Sequence, residues 1–393
     1  MEPANKLRGS IKSRNRDVQS SVPSLYIHLP FCKKKCNYCD FVSYAGKEKL
    51  IDEYVNALIR ELESLLSTFY FQLSTIYLGG GTPTLLEPKH FDKIISTLIG
   101  HWLVPSKFIP SSIEGVEGSL VINHSEISIE SNPATADKEK LKALRELGIN
   151  RLSIGVQSFN NHHLKTLGRI HSAEEALRFY EDARSAGFKN INLDLIFALP
   201  NQTLEEWKVD LQTAFKLEPN HLSTYNLQIE ENTPLWEMTK SQAPNPKQSP
   251  NPKIQIPKRD GEPRRLVSGG PQLQLPNEEI ELAMYEYAIE TLASAGYKHY
   301  EISNFAKPGF ECRHNINYWK NGNYIGIGAG AHSHLNGKRW ANPDSLEAYI
   351  GRGGVERNVM RCTTRYERRF ALRYRSTRDD FHGLKIDGWF ISQ

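Results

Sequence analysis

Strand-like and helix-like segments alternate along most of this chain, and that rhythm limits its fold more than any other feature. Short apolar runs suited to strands fall at residues 25–29, 75–78, 126–130, 151–156, 191–197 and 221–227. Between them lie stretches with apolar residues at helical spacing, at 50–66, 89–98, 137–147, 173–186 and 204–217. In the first of these, Ile51, Tyr54, Val55, Leu58, Ile59, Leu62, Leu65 and Leu66 return to one face. Strands joined by helix-length connections pair in parallel, because the chain must travel back before it can run forward again. The rhythm predicts an α/β fold of six βα units. Turn chemistry agrees: Gly148 and Gly187 follow helices where a left-handed cap residue is expected, and Thr203 with Glu206 forms a capping signal.

Polar residues fall on the same rhythm. Cysteines follow the first strand, Gly79-Gly80-Gly81-Thr82-Pro83 follows the second, Glu130 ends the third and Gln157 the fourth. Asp194 lies inside the fifth strand and enters a barrel only if it faces inward. Parallel barrels carry their chemistry at the C-terminal ends of their strands, so this placement predicts one site built from several strand ends.

Cys32, Cys36 and Cys39 have the spacing C-x3-C-x2-C, with no fourth cysteine near. A closed zinc site takes four ligands, and ferredoxin-type clusters take four thiolates. Three thiolates in so short a run suit three irons of a cubane and leave the fourth iron open to a ligand; a partial zinc site or three buried thiols is the plainer alternative. Lys33, Lys34 and Lys35 between them offset a negative cluster, favour an anionic electron donor, or simply face water. The glycines at 79–81 let the backbone approach a ligand and offer carbonyls to an ammonium group, or else form a tight βα turn. A carboxylate at Glu130 needs a partner. Gln157, Arg169 and Asp194 read the same way, and Arg169 suits a carboxylate through two parallel hydrogen bonds. Tyr26 and Tyr38 beside the cysteines serve either a ligand or the core. Further on, Cys312-Arg313-His314-Asn315-Ile316-Asn317-Tyr318-Trp319 groups a His and a Cys with aromatics, which suits a haem iron or a surface His over core aromatics.

Of the 393 residues 39% are hydrophobic and 24% charged, and the net charge is +4. That charge is too small to argue for nucleic acid as a partner. No stretch reaches the roughly 18–20 apolar residues of a membrane span, so membrane association is expected only through a partner. Five cysteines with three clustered do not resemble a secreted disulfide framework; a reducing, cytoplasmic setting is expected. Residues 1–23 read as a disordered basic segment or, alternatively, as the remnant of a mitochondrial or plastid transit peptide. Residues 241–276, with eight prolines from 243 onward, read as a disordered surface insertion. Residues 277–360 form a smaller C-terminal region, and 361–393 an Arg-rich tail without periodicity.

C-x3-C-x2-C with Tyr38 just before its last cysteine resembles the radical S-adenosylmethionine (SAM) enzymes. Tyr26-Ile27-His28-Leu29-Pro30-Phe31-Cys32, Gly79-Gly80-Gly81-Thr82-Pro83-Thr84, Gly155-Val156-Gln157-Ser158-Phe159 and Leu193-Asp194-Leu195-Ile196-Phe197-Ala198-Leu199-Pro200 are similar to motifs of the oxygen-independent coproporphyrinogen III oxidase group. Leu222-Ser223-Thr224-Tyr225-Asn226-Leu227, Glu230-Glu231-Asn232-Thr233-Pro234-Leu235 and Tyr300-Glu301-Ile302-Ser303-Asn304-Phe305-Ala306-Lys307-Pro308-Gly309, leading into His314-Asn315-x-x-Tyr318-Trp319, are similar to the HemW-type haem chaperones. The resemblance covers residues 24–350. It implies a partial (β/α)6 TIM-like radical SAM barrel over 24–240, open on one side. It implies a [4Fe-4S] cluster on Cys32, Cys36 and Cys39, and SAM held by Tyr26, Tyr38, Gly80, Gly81, Thr82, Glu130, Gln157, Arg169 and Asp194. It associates His314, Asn315 and Tyr318 with haem. The implied function is a chaperone that delivers haem to haem-requiring, respiratory acceptor proteins, with an electron donor for the cluster. The alternative is oxidative decarboxylation of coproporphyrinogen III by a 5′-deoxyadenosyl radical. The family's apolar, helix-rich C-terminal segment is not matched by residues 361–393, so a truncated C-terminal region is expected.

Overall fold

The computed structural model describes residues 23–68, 73–102, 125–240 and 273–351. The expectations for residues 1–22, for the insertion up to 272 and for the tail from 361 lie outside the described residues.

The six expected strands are present: β1 (Ser24–Leu29), β2 (Thr75–Gly80), β3 (Glu126–Ser131), β4 (Arg151–Gln157), β5 (Asn190–Phe197) and β6 (His221–Asn226). Each pairs in parallel with the next, in chain order. The crossovers carry α1 (Ile51–Thr68), α2 (Pro88–Trp102), α3 (Lys138–Glu146), α4 (Ala173–Ser185) and α5 (Leu204–Lys216). Thr203 and Glu206 form a reciprocal capping box at α5, as their spacing predicts, and Ser172 with Glu175 forms another at α4. Gly148 and Gly187 take φ values of 96° and 94°, which a side chain would resist.

The two faces of this sheet have opposite chemistry. Leu25, Ile27, Ile76, Leu78, Ile127, Ile129, Leu152, Ile154, Leu193 and Leu195 are buried in one apolar core with Leu58, Leu62, Phe91, Leu144, Phe179 and Leu211 of the helices. The alternate positions, pointing into the barrel, are Ser24, Tyr26 and His28 on β1, and Thr75, Tyr77 and Gly79 on β2. Glu126, Ser128 and Glu130 follow on β3, then Arg151, Ser153 and Gly155 on β4, Asn192 and Asp194 on β5, and His221 and Ser223 on β6. Hydrogen bonds join them across the interior: Thr75 to Ser24 at 2.9 Å, Tyr77 to Glu130 at 3.0 Å, Ser153 to Asp194 at 3.0 Å, and Asn192 Nδ2 to Ser223 at 3.0 Å. Closed (β/α)8 barrels fill this space with branched apolar side chains. Here it is polar, with Gly79 and Gly155 near the top, so the barrel is lined for a polar ligand.

Residues after 277 extend the same sheet at both ends. Helix α6 (Glu278–Ser294) precedes β7 (Lys298–His299) and β8 (Asn304–Ala306), and β8 pairs antiparallel with β6. Helix α7 (Arg313–Trp319) then leads to β9 (Tyr324–Ile327), which pairs in parallel with the free edge of β1. Strands β10 (His332–Leu335) and β11 (Lys338–Ala341) follow as an antiparallel ribbon. Glu61 on α1 pins the turn after β9: it accepts from Gly328 N–H at 3.0 Å, Asn342 Nδ2 at 2.8 Å and Tyr349 Oη at 2.6 Å.

Candidate functional site

Phe31–Cys32 pairs with Tyr44–Ala45 and brackets the loop that carries the three cysteines at the C-terminal end of β1. The loop is anchored at its middle. Asn37 N–H donates to Leu167 O at 2.9 Å, Asn37 Nδ2 to Thr166 O at 2.9 Å, and Leu235 N–H to Asn37 O at 2.8 Å. All three cysteines are free thiols. Cys32 is buried and lies 3.7 Å from Thr82 Oγ1; Cys39 Sγ is 4.0 Å from Ser43 Oγ; Arg169 Nη1 donates to Cys36 Sγ at 3.5 Å. Burial pushes the thiols of Cys32 and Cys39 up, against the hydroxyl of Thr82 at Cys32 and the backbone at Phe41 for Cys39. Such thiols ionise when positive metal charge is bound. Among the described residues no three His, Cys, Asp or Glu side chains close on a single ion. A cubane places each thiolate on its own iron and does not require three side chains to close on one ion. The donor set fits a [4Fe-4S] cluster.

The glycine run fits tightly behind this loop. Gly81 N–H donates to Leu29 O at 3.0 Å and Thr82 N–H to Phe31 O at 2.7 Å. A Cβ at Gly81 would stand 2.6 Å from Phe31 O, and one at Gly80, whose φ is 118°, would stand 2.7 Å from the His28 ring. These glycines therefore serve the close approach of two backbones as well as any ligand. Gly81→Ala is expected to displace Phe31 and Cys32, costing about 1–3 kcal/mol and lowering iron content. Wild-type iron and an unchanged melting temperature would contradict this.

Glu130 accepts from Gly80 N–H at 3.0 Å and Tyr77 Oη at 3.0 Å. Burial, and then the neighbouring Asp194 carboxylate, pushes it up to about 7. Gln157 follows on β4 with a buried Oε1 that has no hydrogen-bond partner among the described residues. Arg169 bonds Gly155 O and Cys36 Sγ and leaves its buried Nε without a partner among the described residues. An orphaned donor and an orphaned acceptor near the cysteine loop are what a zwitterionic ligand would satisfy.

The sequence-predicted residues thus divide by position. Gly80, Gly81, Thr82, Glu130, Gln157 and Arg169 gather with the cysteines at the strand ends. Tyr26 lies inside the barrel, its hydroxyl 3.0 Å from His28 Nδ1 and its ring stacked on Tyr77. Asp194 faces inward and accepts from Ser153 Oγ at 3.0 Å and Asn192 Nδ2 at 2.8 Å. Tyr38 packs to one side, against Leu167, Ile196, Leu199, Leu227 and Leu235. His314, Asn315 and Tyr318, expected from the resemblance to serve haem, lie at the other end of the barrel, near Thr75 and Glu126, which open β2 and β3. His314 is fully buried and stacks on Tyr77. Thr75 donates its hydroxyl hydrogen to Ser24, so it accepts from His314 Nδ1–H at 2.7 Å, which leaves Nε2 to accept from Tyr318 Oη at 3.0 Å. Asn315 donates to Glu301 Oε1 at 3.4 Å.

No role for Ser158, His171 or Asp210 is legible in the sequence beyond the motif that contains Ser158. His171 bridges Asn132 Oδ1 at 3.0 Å and Val156 O at 3.1 Å, and Asp210 receives Ser158 and Phe159. Their only signal was position: Ser158 beside Gln157, His171 two residues after Arg169, and an acid on the buried stripe of a helix.

The radical SAM superfamily model matches residues 26–214. Over 383 residues the chain is 36% identical to the heme chaperone HemW of Bacillus subtilis, covering 94% of this chain and 89% of that protein. It is 38% identical over 314 residues to heme chaperone HemW of Escherichia coli, covering 79% and 69%. It is 32% identical over 310 residues to the zebrafish (Danio rerio) protein named radical S-adenosyl methionine domain-containing protein 1, mitochondrial, covering 79% and 60%. Among solved structures, coproporphyrinogen III oxidase (HemN) from Escherichia coli superposes with a TM-score of 0.65 at 23% identity, over 86% of this chain and 72% of that one. That likeness concerns the fold alone. The cysteine loop, the glycine run and the sequence matches have one meaning: this chain belongs to the HemW family within the radical SAM superfamily.

Proposed function

We propose that this protein holds a [4Fe-4S] cluster on Cys32, Cys36 and Cys39, binds SAM beside it, and carries haem to haem-requiring acceptor proteins. The observation that carries the reading is the linkage of Cys32, Thr82, Gly80 and Glu130 through contacts at the ends of three adjacent strands, in a chain so similar to proteins named heme chaperones. When bound, the cluster supplies an iron with an open position. The protein does the rest. Glu130 and the strand-end carbonyls face the cationic side of SAM, Arg169 faces its carboxylate, and Gln157 offers an acceptor to its hydroxyl or ammonium groups. Tyr38 stands beside Arg169 on an apolar bed suited to the adenine ring, and Tyr26 and Asp194 line the space below.

Haem is the cargo. For His314 to ligate its iron, Tyr318 must first release the Nε2 lone pair, so the barrel floor has to open. Lys33, Lys34 and Lys35 are exposed beside the cysteines and suit an acidic electron donor. Among the described residues no helix is long and apolar enough to cross a membrane. A cytoplasmic site of action is our reading, with a mitochondrial one as the alternative, since one relative bears that word in its name.

The function is tested by mixing haem-loaded protein with an apo haem enzyme. Acceptor activity should return faster than with free haem at equal concentration; no gain over free haem rejects the reading. The site also makes a pH prediction. A cation beside Glu130 favours its ionised form, so SAM binding should release a proton and be about tenfold weaker at pH 6 than at pH 8, a dependence lost in Glu130→Gln. Calorimetry in buffers of different ionisation enthalpy reads this directly. Without ligand the sign reverses. Glu130 folded holds its proton above its ordinary value of 4.5, so its contribution to stability is full below that value and is lost as pH rises through about 7.

A further inference from the structure

Gln157 is held in a conformation that its neighbours must impose. Its φ is 68°, and Ser158 N–H donates across it to Val156 O at 2.9 Å. A three-residue turn with positive φ at its centre is the rare and strained hand for a side-chain-bearing residue. The pairing of β4 with β5 also slips between Gly155 and Gln157. The strain aims the side chain: the Gln157 amide lies over Gly155, where a Cβ would come within 2.9 Å of Nε2, and its Oε1 is buried without a partner among the described residues.

The next two residues are gripped from outside the barrel. Asp210, on the buried face of α5 and 1% exposed, accepts from Ser158 Oγ at 2.7 Å through Oδ2 and from Phe159 N–H at 2.7 Å through Oδ1. Ser158 Oγ in turn accepts from Asn160 N–H at 3.0 Å. On the other side His171 holds Val156 O at 3.1 Å. Burying a carboxylate is costly, and burial pushes Asp210 up to about 6. Two short bonds to the residues after a strained turn are the return for that cost.

We propose that Asp210, which sits on α5 and reaches the turn only through Ser158 and Phe159, is a positioning residue for SAM: it keeps the turn closed so that the Gln157 carboxamide meets the ligand already oriented. This rests on the SAM reading above. A preorganised amide binds more tightly than one that must first adopt a strained turn.

The test is a double-variant cycle on the anaerobically reconstituted full chain. SAM dissociation constants are measured for wild type, Asp210→Ala, Gln157→Ala and the pair, together with iron content and the change that SAM makes in the electron paramagnetic resonance of the reduced cluster. We expect about tenfold weaker SAM binding in Asp210→Ala at wild-type iron content, and no further loss when it is added to Gln157→Ala. Asp210→Asn, which keeps an acceptor for Phe159 N–H, should recover part of the loss. Where Asp210→Ala does not fold, Ser158→Ala removes the same hydroxyl contact and takes its place in the cycle. Additive losses would mean that Asp210 supports the fold generally, and would overturn the positioning role alone. Unchanged SAM affinity in Asp210→Ala or Ser158→Ala overturns it too. A wild-type protein that carries its cluster and binds no SAM rejects the SAM reading and this proposal together.

Discussion

Replacing Cys32, Cys36 or Cys39 by Ala is expected to abolish the cluster and, with it, SAM binding. Three thiolates are the smallest set that holds a cubane with one open iron, so no member is redundant. The other described cysteine, Cys312, cannot substitute. It lies at the barrel floor, bonded to Glu126 Oε1 at 3.5 Å, and burial pushes its thiol up to about 12. The wild type should carry about four irons per chain after reconstitution, and each variant close to none, with the visible absorption of the cluster gone. The fold should survive, because the loop is held by Asn37 and by the pairing of Phe31–Cys32 with Tyr44–Ala45 rather than by metal alone. Iron and sulfide analysis with circular dichroism checks both halves. Full iron in Cys36→Ala would contradict the assignment.

His314→Ala is expected to have the second largest effect, and first of all on stability. The change removes a fully buried ring, its stacking on Tyr77 and two hydrogen bonds; it strands the hydroxyl of Tyr318 and leaves Thr75 only its bond to Ser24. Together these should cost about 3–5 kcal/mol. His314→Gln, which still presents a donor and an acceptor, should lose less. The imidazole also carries a pH signature. Burial, and then the positive Arg151, pushes it down to about 3 from an ordinary value of 6.5. A depressed histidine binds its proton more readily when unfolded. Its contribution is therefore full above pH 6.5 and is lost as pH falls toward 3. Melts at pH 7 and pH 5 should show a smaller acid loss in His314→Gln than in wild type. Haem affinity of the folded His314→Gln protein separates two roles. A large drop at modest stability loss marks a ligand that reaches iron when the floor opens; unchanged affinity marks a floor residue only.

The sequence made the scaffold legible because one face of each barrel strand meets helices and repeats every second residue. Ile127 and Ile129 mark β3 as plainly as the Thr203–Glu206 capping box marks α5. The cysteine loop was legible because its chemistry is local. Depth was not: spacing alone does not separate Glu130 at the mouth from Asp194 further in, nor place His314 at the end away from the cysteines. The flanking strands were missed because β7 to β11 are short and gain stability from edges formed far away in sequence, such as β1 for β9. Glu61 and Asp210 read as ordinary helix acids. Only the packed structure shows Glu61 receiving three donors and Asp210 receiving the turn after Gln157.

A radical SAM site here belongs to a protein whose business is carrying haem. The most direct measurement is a haem titration of the anaerobically reconstituted protein, with coproporphyrinogen III turnover assayed on the same sample in the presence of SAM and reductant. Stoichiometric haem binding and no protoporphyrinogen are expected. Formation of protoporphyrinogen, or a cluster-loaded protein that binds no haem, would contradict it.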